Sequence, residues 1–489
     1  MRRLGRDSIV YAGGTLLARL VSFVMLPVYT RYLTPADYGI LQLLDITLDI
    51  AAILVSAGAL AGVTRFYFKT DDPERRRRLL STAFLTQLGL NLLGTAGVFL
   101  AATPIWRLLL DGEGSPWFVR VAAANFTLGI LANVPLLLLQ LRQQAARFVT
   151  LSVVKLALQL SLNIVFVVVL RSGPFGVLLS TFVANLVFGG VLCVGLLRDT
   201  GIHFDRGIFQ ELRKFGLPYQ FEKAGTFIIA FGDRFFLKAF RGLAEVGVYG
   251  VAYQFGFLLT GSIARPLYRA WNPQRHQLAG LPRKERDARY NRGFRLINLV
   301  LVSASTGIAL FITPMLRVMV TPEFFVAARY VPIIILASLF QIWTSTVGLG
   351  ITITERTHYA AWATYIATGT VLLLYVLLIP PYGAMGAAVA TLVSQLARFL
   401  AYYYWSHRLW PVSYDWRPHL VMLGLGTGAT LLQYALAPEG IVGSGALAAA
   451  LFTAYAAGTW FIALPRADRA DLREALLSRA GLTRLLSAD

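Results

Sequence analysis

The chain has 489 residues, of which 56% are hydrophobic and only 14% are charged. A soluble domain carries about a quarter charged residues, so this composition excludes an ordinary soluble protein. The formal net charge of +20 would suggest a nucleic-acid partner in a soluble protein, but basic connections between membrane spans account for it, and we expect no nucleic-acid binding.

Apolar runs long enough to cross a bilayer recur along the whole chain. A span needs roughly twenty such residues. The first run is too long for the core of a signal peptide and lacks a small-residue cleavage site, so we interpret it as a retained span. We predict an all-α polytopic membrane protein with about fourteen spans. They lie near residues 8–31, 39–64, 79–101, 117–141, 148–170, 174–197, 215–240, 247–270, 293–314, 328–353, 358–380, 383–406, 418–437 and 440–464.

Basic residues cluster in alternate connections between these runs. The basic connections lie near residues 2–6, 75–78, 142–147, 198–214, 283–295, 408–417 and 466–484, whereas the others hold few arginines. The positive-inside rule then predicts that both termini are cytoplasmic. The largest connection, at about 271–290, is too short for a folded domain. Any transport must therefore take place within the helical bundle.

Two short glycine motifs recur at nearly the same spacing. Residues 36–39 and 244–247 are 208 positions apart, and residues 173–176 and 383–386 are 210 apart. An even number of spans separates each pair, which is typical of transporters with two parallel lobes. We predict an N-lobe of six helices, a C-lobe of six helices, two further helices and a cytoplasmic amphipathic tail, at residues 1–197, 198–408, 409–464 and 465–489. The tail either lies on the membrane face or is solvated.

Charges inside the apolar runs are the main functional signal. Arg19 lies roughly 16 Å from either end of its helix, too far for its side chain to reach water. A guanidinium in hydrocarbon costs at least ~3 kcal/mol, so we expect Arg19 to face water or an anion. Asp45 and Asp49 lie one helical turn apart in the second span and require a cation, a proton or water. Arg19, on the preceding helix, is the candidate partner.

Basic residues outnumber acidic ones among the charges within spans. A cavity lined in this way attracts phosphate, pyrophosphate or carboxylate and repels lipophilic cations. The expected substrate-binding residues are Arg19, Lys155, Lys223, Arg265 and Arg398. The coupling-ion candidates are Asp45, Asp49 and Glu222, and Asp233 with Arg234 forms either a gate or a structural pair. The cations nearest a helix end, Lys155, Arg265 and Arg398, could instead snorkel or pair locally.

Several signatures of catalysis and cofactor binding are missing from the sequence. It has no Walker A loop, no HExxH motif and no GxSxG motif. The one cysteine, Cys193, lies in a span and has no metal-ligand spacing around it. We therefore predict no enzyme activity, no metal and no cofactor.

Segments in both halves resemble a known family. They are residues 27–39 (PVYTRYLTPADYG), 215–218 (FGLP), 233–237 (DRFFL), 246–249 (VGVY), and the prolines Pro266 and Pro273. Their order is similar to that of the O-antigen and exopolysaccharide flippases of the Wzx type. These proteins belong to the multidrug/oligosaccharidyl-lipid/polysaccharide exporter (MOP) superfamily. With the span count and the two lobes, the resemblance covers nearly the whole chain.

The resemblance implies flipping of undecaprenyl-pyrophosphate-linked oligosaccharide across the bacterial inner membrane, for polysaccharide or lipopolysaccharide biosynthesis. It implies alternating access through a cationic cavity, coupling to H⁺ or Na⁺, and contacts with membrane lipids and other polysaccharide assembly proteins. Related lipid II flippases have cavity arginines in the first and eighth spans, where this chain has Arg19 and Arg265.

Three alternatives stay open. An acidic cavity would favour a drug or metabolite antiporter of the same superfamily, and the predominance of basic residues here argues against it. A membrane glycan polymerase or ligase would need a long outer loop with catalytic residues. A membrane scaffold without transport activity would have no use for buried charges.

Overall fold

The computed structural model describes residues 23, 25–55, 59–436, 438 and 440–477, and for residues 52–55, 59–61, 216–226 and 474–477 it describes the backbone alone. Within those ranges the chain is helical and contains no β-strand. The α-helices are α1 (Pro35–Val55), α2 (Ala59–Tyr67), α3 (Pro73–Leu100), α4 (Ala102–Leu110), α5 (Pro116–Leu141), α6 (Ala145–Asn163), α7 (Gly173–Thr200), α8 (Arg206–Phe231), α9 (Asp233–Arg241), α10 (Leu243–Phe257), α11 (Arg265–Gln277), α12 (Arg283–Met319), α13 (Ala327–Val347), α14 (Leu349–Ile353), α15 (His358–Leu409), α16 (Arg417–Leu436), α17 (Ile441–Gly458) and α18 (Arg466–Leu477). Wider π-helical turns at Ile164–Val169, Leu258–Ala264 and Thr459–Ala463 extend α6, α10 and α17.

Ten helical stretches in the described ranges are long and apolar enough to cross a membrane. One of them, α15, is two helices joined at Gly383, where φ is 55° and ψ is −133°, so it covers two predicted spans. Three predicted spans remain. The one predicted at 8–31 lies mostly outside the described residues, and the one at 39–64 contains the undescribed residues 56–58. The one at 215–240 breaks at Gly232, between α8 and α9. The structure confirms an all-α, multi-pass membrane protein.

Polar caps set the start of several helices. The Asp72 side chain accepts a hydrogen bond from the amide of Glu74 at 3.0 Å, and Pro73 follows as the first helical residue. The Asp205 carboxylate likewise accepts from two amides of the first turn of α8. A capped N-terminus satisfies amides that the helix itself leaves free. Helix α3 therefore begins six residues before its apolar run.

The chain divides into two compact units, Met1–Gly250 and Val251–Asp489. The core of the first unit is an apolar cluster contributed by α2, α3, α5, α7 and α8. Its buried members are Val63, Tyr67, Leu79, Leu80, Ala83, Phe84, Ile130, Val134, Leu138, Leu141, Leu196, Ile208 and Leu212. The division into lobes at residues 1–197 and 198–408 stays a prediction.

Helix α1 packs closely on the first turns of α10 through two glycines, Gly39 and Gly247. A Cβ added at Gly39 would overlap the carbonyl oxygen of Leu243, and one added at Gly247 would overlap that of Pro35. Both glycines belong to one pair of repeated motifs. The absence of a side chain is what allows the two backbones to approach this closely.

The second pair of repeated motifs shares an unusual backbone conformation. Gly173 has φ of 56° and Gly383 has φ of 55°, both in the left-handed region that favours glycine. Three residues later, a Cβ on Gly176 would lie 3.0 Å from the carbonyl oxygen of Phe166, and one on Gly386 would overlap that of Leu378. At both positions, therefore, a glycine with positive φ reverses the chain, and a second glycine lets the new helix pack closely on the preceding one.

In the second unit, an aromatic cluster covers the basic end of α12. Phe294 stacks on His419 with ring centres 4.2 Å apart, and Trp343 donates to the side chain of Asn298. The connection before α16 is tied to α12 as well, because the amide of Ser413 donates to an Asp287 oxygen at 3.1 Å. Aromatic rings beside the basic end of a membrane helix are typical of a membrane interface.

The C-terminal helix α18 is held against the same end of α12 by ion pairs. Arg295 Nε donates to Asp468 at 2.8 Å, and the Asp468 side chain is 4% exposed. Arg292 pairs with Asp471 at 2.6 Å. Helix α18 therefore docks on α12 through its acidic residues.

Candidate functional site

In the first unit, Asp45 and Asp49 lie one turn apart on α1, as the sequence predicts. Both side chains are exposed, so neither carboxylate is sealed into the apolar core. Tyr29, in the helical residues 25–32 that precede α1, lies close to Asp45, and its hydroxyl is within hydrogen-bonding reach of the Asn163 side chain on α6. Tyr29 therefore connects the acidic face of α1 with α6.

Lys155 lies on α6 with a half-buried side chain. It forms no ion pair within the described ranges. Gln159, one turn further on, donates to the hydroxyl of Thr181 at 3.1 Å, and the buried Oδ1 of Asn163 has no hydrogen-bond partner there. Lys155, Gln159 and Asn163 thus form a polar stripe along one face of an otherwise apolar helix.

In the second unit, Arg265 is the first residue of α11, and its side chain is exposed. It shares a helix face with Ser262, Arg269 and Asn272. The Ser262 hydroxyl and the Asn272 Oδ1 are buried and have no partner in the described part of the chain. The face therefore combines two accessible cations with two polar atoms whose hydrogen-bonding capacity is unused.

Arg398 lies in the second half of α15. Its guanidinium sits 5.7 Å from the ring centre of Tyr402, and its buried Nε has no hydrogen-bond partner among the described residues. The Oε1 of Gln395, on the same face, is also buried and unpartnered. An unsatisfied buried donor and acceptor side by side indicate a place for a polar ligand or water.

Asp233 and Arg234 form a fully buried ion pair at the start of α9. Arg234 Nη1 lies 2.6 Å from Asp233 Oδ1, and both side chains are 0% exposed. The Tyr249 hydroxyl donates to Asp233 Oδ2 at 2.8 Å, and Arg234 donates to the carbonyl of Ala230 at 2.8 Å across the break at Gly232. The geometry joins the ends of α8 and α9 to α10, and whether the pair is a gate or a structural pair stays a prediction.

Three predicted site residues have no described side chain. Arg19 lies outside the described residues. Glu222 and Lys223 lie on α8, for which the backbone alone is described at these positions. Their roles stay predictions.

Sequence reasoning missed a buried polar network between α3 and α5. Gln87 Nε2 donates to Asn91 Oδ1 at 3.0 Å, and the hydroxyls of Thr95 and Thr127 lie 2.5 Å apart. Thr127 also donates to the carbonyl of Asn91 at 3.2 Å. Two amide atoms, Gln87 Oε1 and Asn91 Nδ2, stay buried without a partner. A glutamine and an asparagine four residues apart inside an apolar run are the signal that would have found it.

Within the described ranges, no group of three or more His, Cys, Asp or Glu residues could hold a metal ion. The charged positions are instead the cations Lys155, Arg265 and Arg398, the two carboxylates of α1 and the buried pair Asp233–Arg234. Such side chains are costly in a membrane and mark pathways for ions and polar substrates.

Solved transporter structures share this fold. The chain is similar to the lipid II flippase MurJ in an inward closed conformation, with a TM-score of 0.68 and 12% identity over 92% of this chain and 97% of that one. It is also similar to a MATE family multidrug resistance transporter of the MOP superfamily in an inward-facing conformation, with a TM-score of 0.63 and 14% identity over 80% and 97% of the two chains. An outward-facing MATE structure gives a TM-score of 0.54 at 17% identity, over 83% and 95%. The fold is therefore that of the MOP transporters.

A sequence family gives the more particular assignment. The model of the family described as "Polysaccharide biosynthesis protein" matches residues 4–278, more than half of the chain. The chain belongs to the polysaccharide biosynthesis protein family, and the resemblance in the motifs of both halves is confirmed. No curated protein matches the sequence.

Proposed function

We propose that this protein is a flippase that moves an undecaprenyl-pyrophosphate-linked oligosaccharide from the cytoplasmic to the outer leaflet of the bacterial inner membrane. Membership of a polysaccharide biosynthesis family and a fold shared with a lipid II flippase support the class of substrate. The alternate basic connections support an orientation with both termini in the cytoplasm. The step proposed is translocation by alternating access, for lipopolysaccharide O-antigen or a related glycan.

One observation carries the proposal. Lys155 and Arg398 lie on apolar membrane helices, Arg265 lies where the apolar part of a candidate span gives way to the polar helix α11, and none of the three forms an ion pair within the described part of the chain. A pyrophosphate offers the anionic oxygens that such cations bind, with charge-assisted bonds about twice as strong as neutral ones. We therefore assign the head group of the substrate to these residues together with Arg19 and Lys223.

The carboxylates would supply the coupling. Asp45 and Asp49 are accessible and sit one turn apart, so an H⁺ or Na⁺ would relieve the repulsion between them. Glu222 is a further candidate. The buried pair Asp233–Arg234 supports a structural role in place of a gate, because neither side chain reaches an accessible surface.

The direct test measures flipping of a fluorescent lipid-linked oligosaccharide in proteoliposomes that contain the purified protein. We expect Arg398→Gln to slow flipping by at least about tenfold, because a hydrogen bond to a charged group contributes about 1.5–3 kcal/mol. Arg198→Gln, at an exposed position near the end of α7, is the matched control and should flip at the wild-type rate. Wild-type flipping by Arg398→Gln would remove Arg398 from the site.

A drug or metabolite antiporter is the second candidate. The MATE-like fold and the accessible Asp45–Asp49 pair favour it, because an acidic face binds organic cations. Efflux of a cationic dye from the same proteoliposomes under an H⁺ or Na⁺ gradient, without glycan flipping, would favour the antiporter. The similar structures named above are a lipid II flippase and multidrug resistance transporters, which supports transport over a glycan polymerase or ligase.

A further inference from the structure

A pocket of about 410 Å³ in the first unit is lined by charges of both signs, from Lys69, Arg75 and Glu211. The charged residues that line a smaller pocket in the second unit are both arginines. This second pocket, which we call the far-end pocket, has a volume of about 270 Å³. It lies where α12 and α16 end and where α13 and α17 begin, remote from the basic connections. Its lining residues are Thr313, Leu316, Arg317, Phe325, Ala328, Arg329, Gln433, Tyr434, Pro438 and Ser444.

Among its described lining residues, which leave out Ala437 and Glu439, the far-end pocket has two arginines and no carboxylate. Arg317 lies in the last turn of α12 and Arg329 in the first turn of α13. Neither forms an ion pair within the described ranges, and Glu323, on the connection between them, is exposed and does not line the pocket. Arginines are scarce on this side of the membrane, so the convergence of two on one pocket needs a reason beyond the positive-inside rule.

Helix dipoles add to the positive charge of the far-end pocket. Both α13 and α17 present their N-terminal turns to it, through Ala328 and Ser444. A cation such as Arg329 is unfavourable at a helix N-terminus, whereas an anion there is favourable. The local field is therefore that of an anion site.

Hydrogen-bonding groups complete the far-end pocket. The Tyr434 hydroxyl donates to the carbonyl of Ala328 at 2.6 Å, and Gln433 Nε2 donates to that of Ser444 at 3.1 Å. Gln433 is only 4% exposed, and its buried Oε1 has no hydrogen-bond partner in the described ranges. A buried acceptor without a donor indicates a ligand hydroxyl or a bound water. The arrangement thus suits a phosphate ester that also carries hydroxyl groups.

We infer that the far-end pocket binds the phosphate of a lipid head group with free hydroxyls, as in phosphatidylglycerol. The apolar run of α12 ends just before Arg317, which places the pocket at the depth of lipid head groups. Phosphate from a lipid and free phosphate have the same chemistry, and the apolar lining of Leu316, Phe325 and Pro438 favours the lipid. The inference does not require that the protein flips a glycan.

The test uses a phosphatidylglycerol with a photoreactive head group and the purified full chain in nanodiscs of phosphatidylcholine. Mass spectrometry then measures the yield of crosslinks on peptides that cover residues 311–330 and 430–446. We expect R317Q/R329Q to lower that yield by at least about tenfold, because two charge-assisted bonds are lost. R317K/R329K, which keeps both charges, should retain most of it, and R107Q is the matched control because Arg107 is exposed on α4 and lines no part of the pocket.

Competitors distinguish the source of the phosphate. Unlabelled phosphatidylglycerol that displaces the probe where inorganic phosphate and phosphatidylcholine do not assigns the pocket to a lipid head group. Displacement by inorganic phosphate at the same concentration assigns it to free phosphate. Equal crosslinking in wild type and R317Q/R329Q would overturn the inference and leave the two arginines as interfacial anchors. If the wild-type protein crosslinked the lipid probe but did not flip a lipid-linked glycan, that result would count against the proposed function and not against the lipid site.

Discussion

The buried pair Asp233–Arg234 allows a sharp test of its role. In Asp233→Asn, the carboxylate that accepts from Arg234 at 2.6 Å and from Tyr249 at 2.8 Å is replaced by a neutral amide. The guanidinium stays in a site that is 0% exposed. Removing one partner of a buried ion pair costs about 3–5 kcal/mol, so we expect the free energy of unfolding to fall by that amount.

Two further variants separate the charge from the packing. Replacing both partners, as in Asp233→Leu with Arg234→Met, removes the isolated charge and should restore most of the stability. Asp111→Asn breaks the more exposed bridge to Lys238, where the Asp111 side chain is 58% exposed, and should cost less than about 1 kcal/mol.

Denaturant unfolding of the purified protein in detergent measures the stability of all of these variants, and flipping in proteoliposomes measures their activity. Our account expects the activity of Asp233→Asn to be lost together with its stability, and both to return in the double variant. If Asp233→Asn were as stable as wild type but inactive, the pair would be a gate, and the structural interpretation would be wrong.

Three other variants test separate parts of the structure. Gly247→Ala should destabilise the protein by at least about 1–3 kcal/mol, because its Cβ would overlap a carbonyl of α1. The control Gly89→Ala, with nothing within 4 Å of its Cβ, should leave the stability unchanged, and thermal unfolding in detergent measures both variants. Asp45→Asn should abolish flipping driven by an imposed H⁺ or Na⁺ gradient while substrate binding persists; gradient-driven flipping at the wild-type rate would exclude Asp45 from coupling. Asp468→Asn should speed hydrogen exchange across α18 far more than Asp471→Asn, because the first side chain is 4% exposed and the second 41%; equal rates would contradict the docking described.

The membrane spans could be predicted because a bilayer imposes length and apolarity on every crossing helix. The predicted spans 117–141 and 328–353 match α5 and Ala327–Ile353 to within one residue. The prediction 293–314 fell short of α12, which continues at both ends through charged residues. Hydropathy indicates which residues cross the hydrocarbon core of the membrane. It does not indicate where a helix ends, because caps and packing determine the ends.

The candidate site could be predicted only where it is charged. Intramembrane charge is costly, so Lys155 and Arg398 stood out in the sequence. Uncharged polar residues such as Asn91 and Asn272 carry no formal charge, so the search for charges within the spans passed over them, and their unpartnered atoms appear only in three dimensions. The bond from Tyr249 to Asp233 joins different helices, and no local spacing predicts it.

The central claim is that cations within the spans hold a phosphate-bearing lipid during its passage across the membrane. Arg19→Ala tests it most directly, in proteoliposomes that contain a labelled undecaprenyl-pyrophosphate-linked oligosaccharide. Our account predicts that the variant folds and inserts like wild type but does not flip the lipid. Flipping at the wild-type rate by the inserted variant would contradict it.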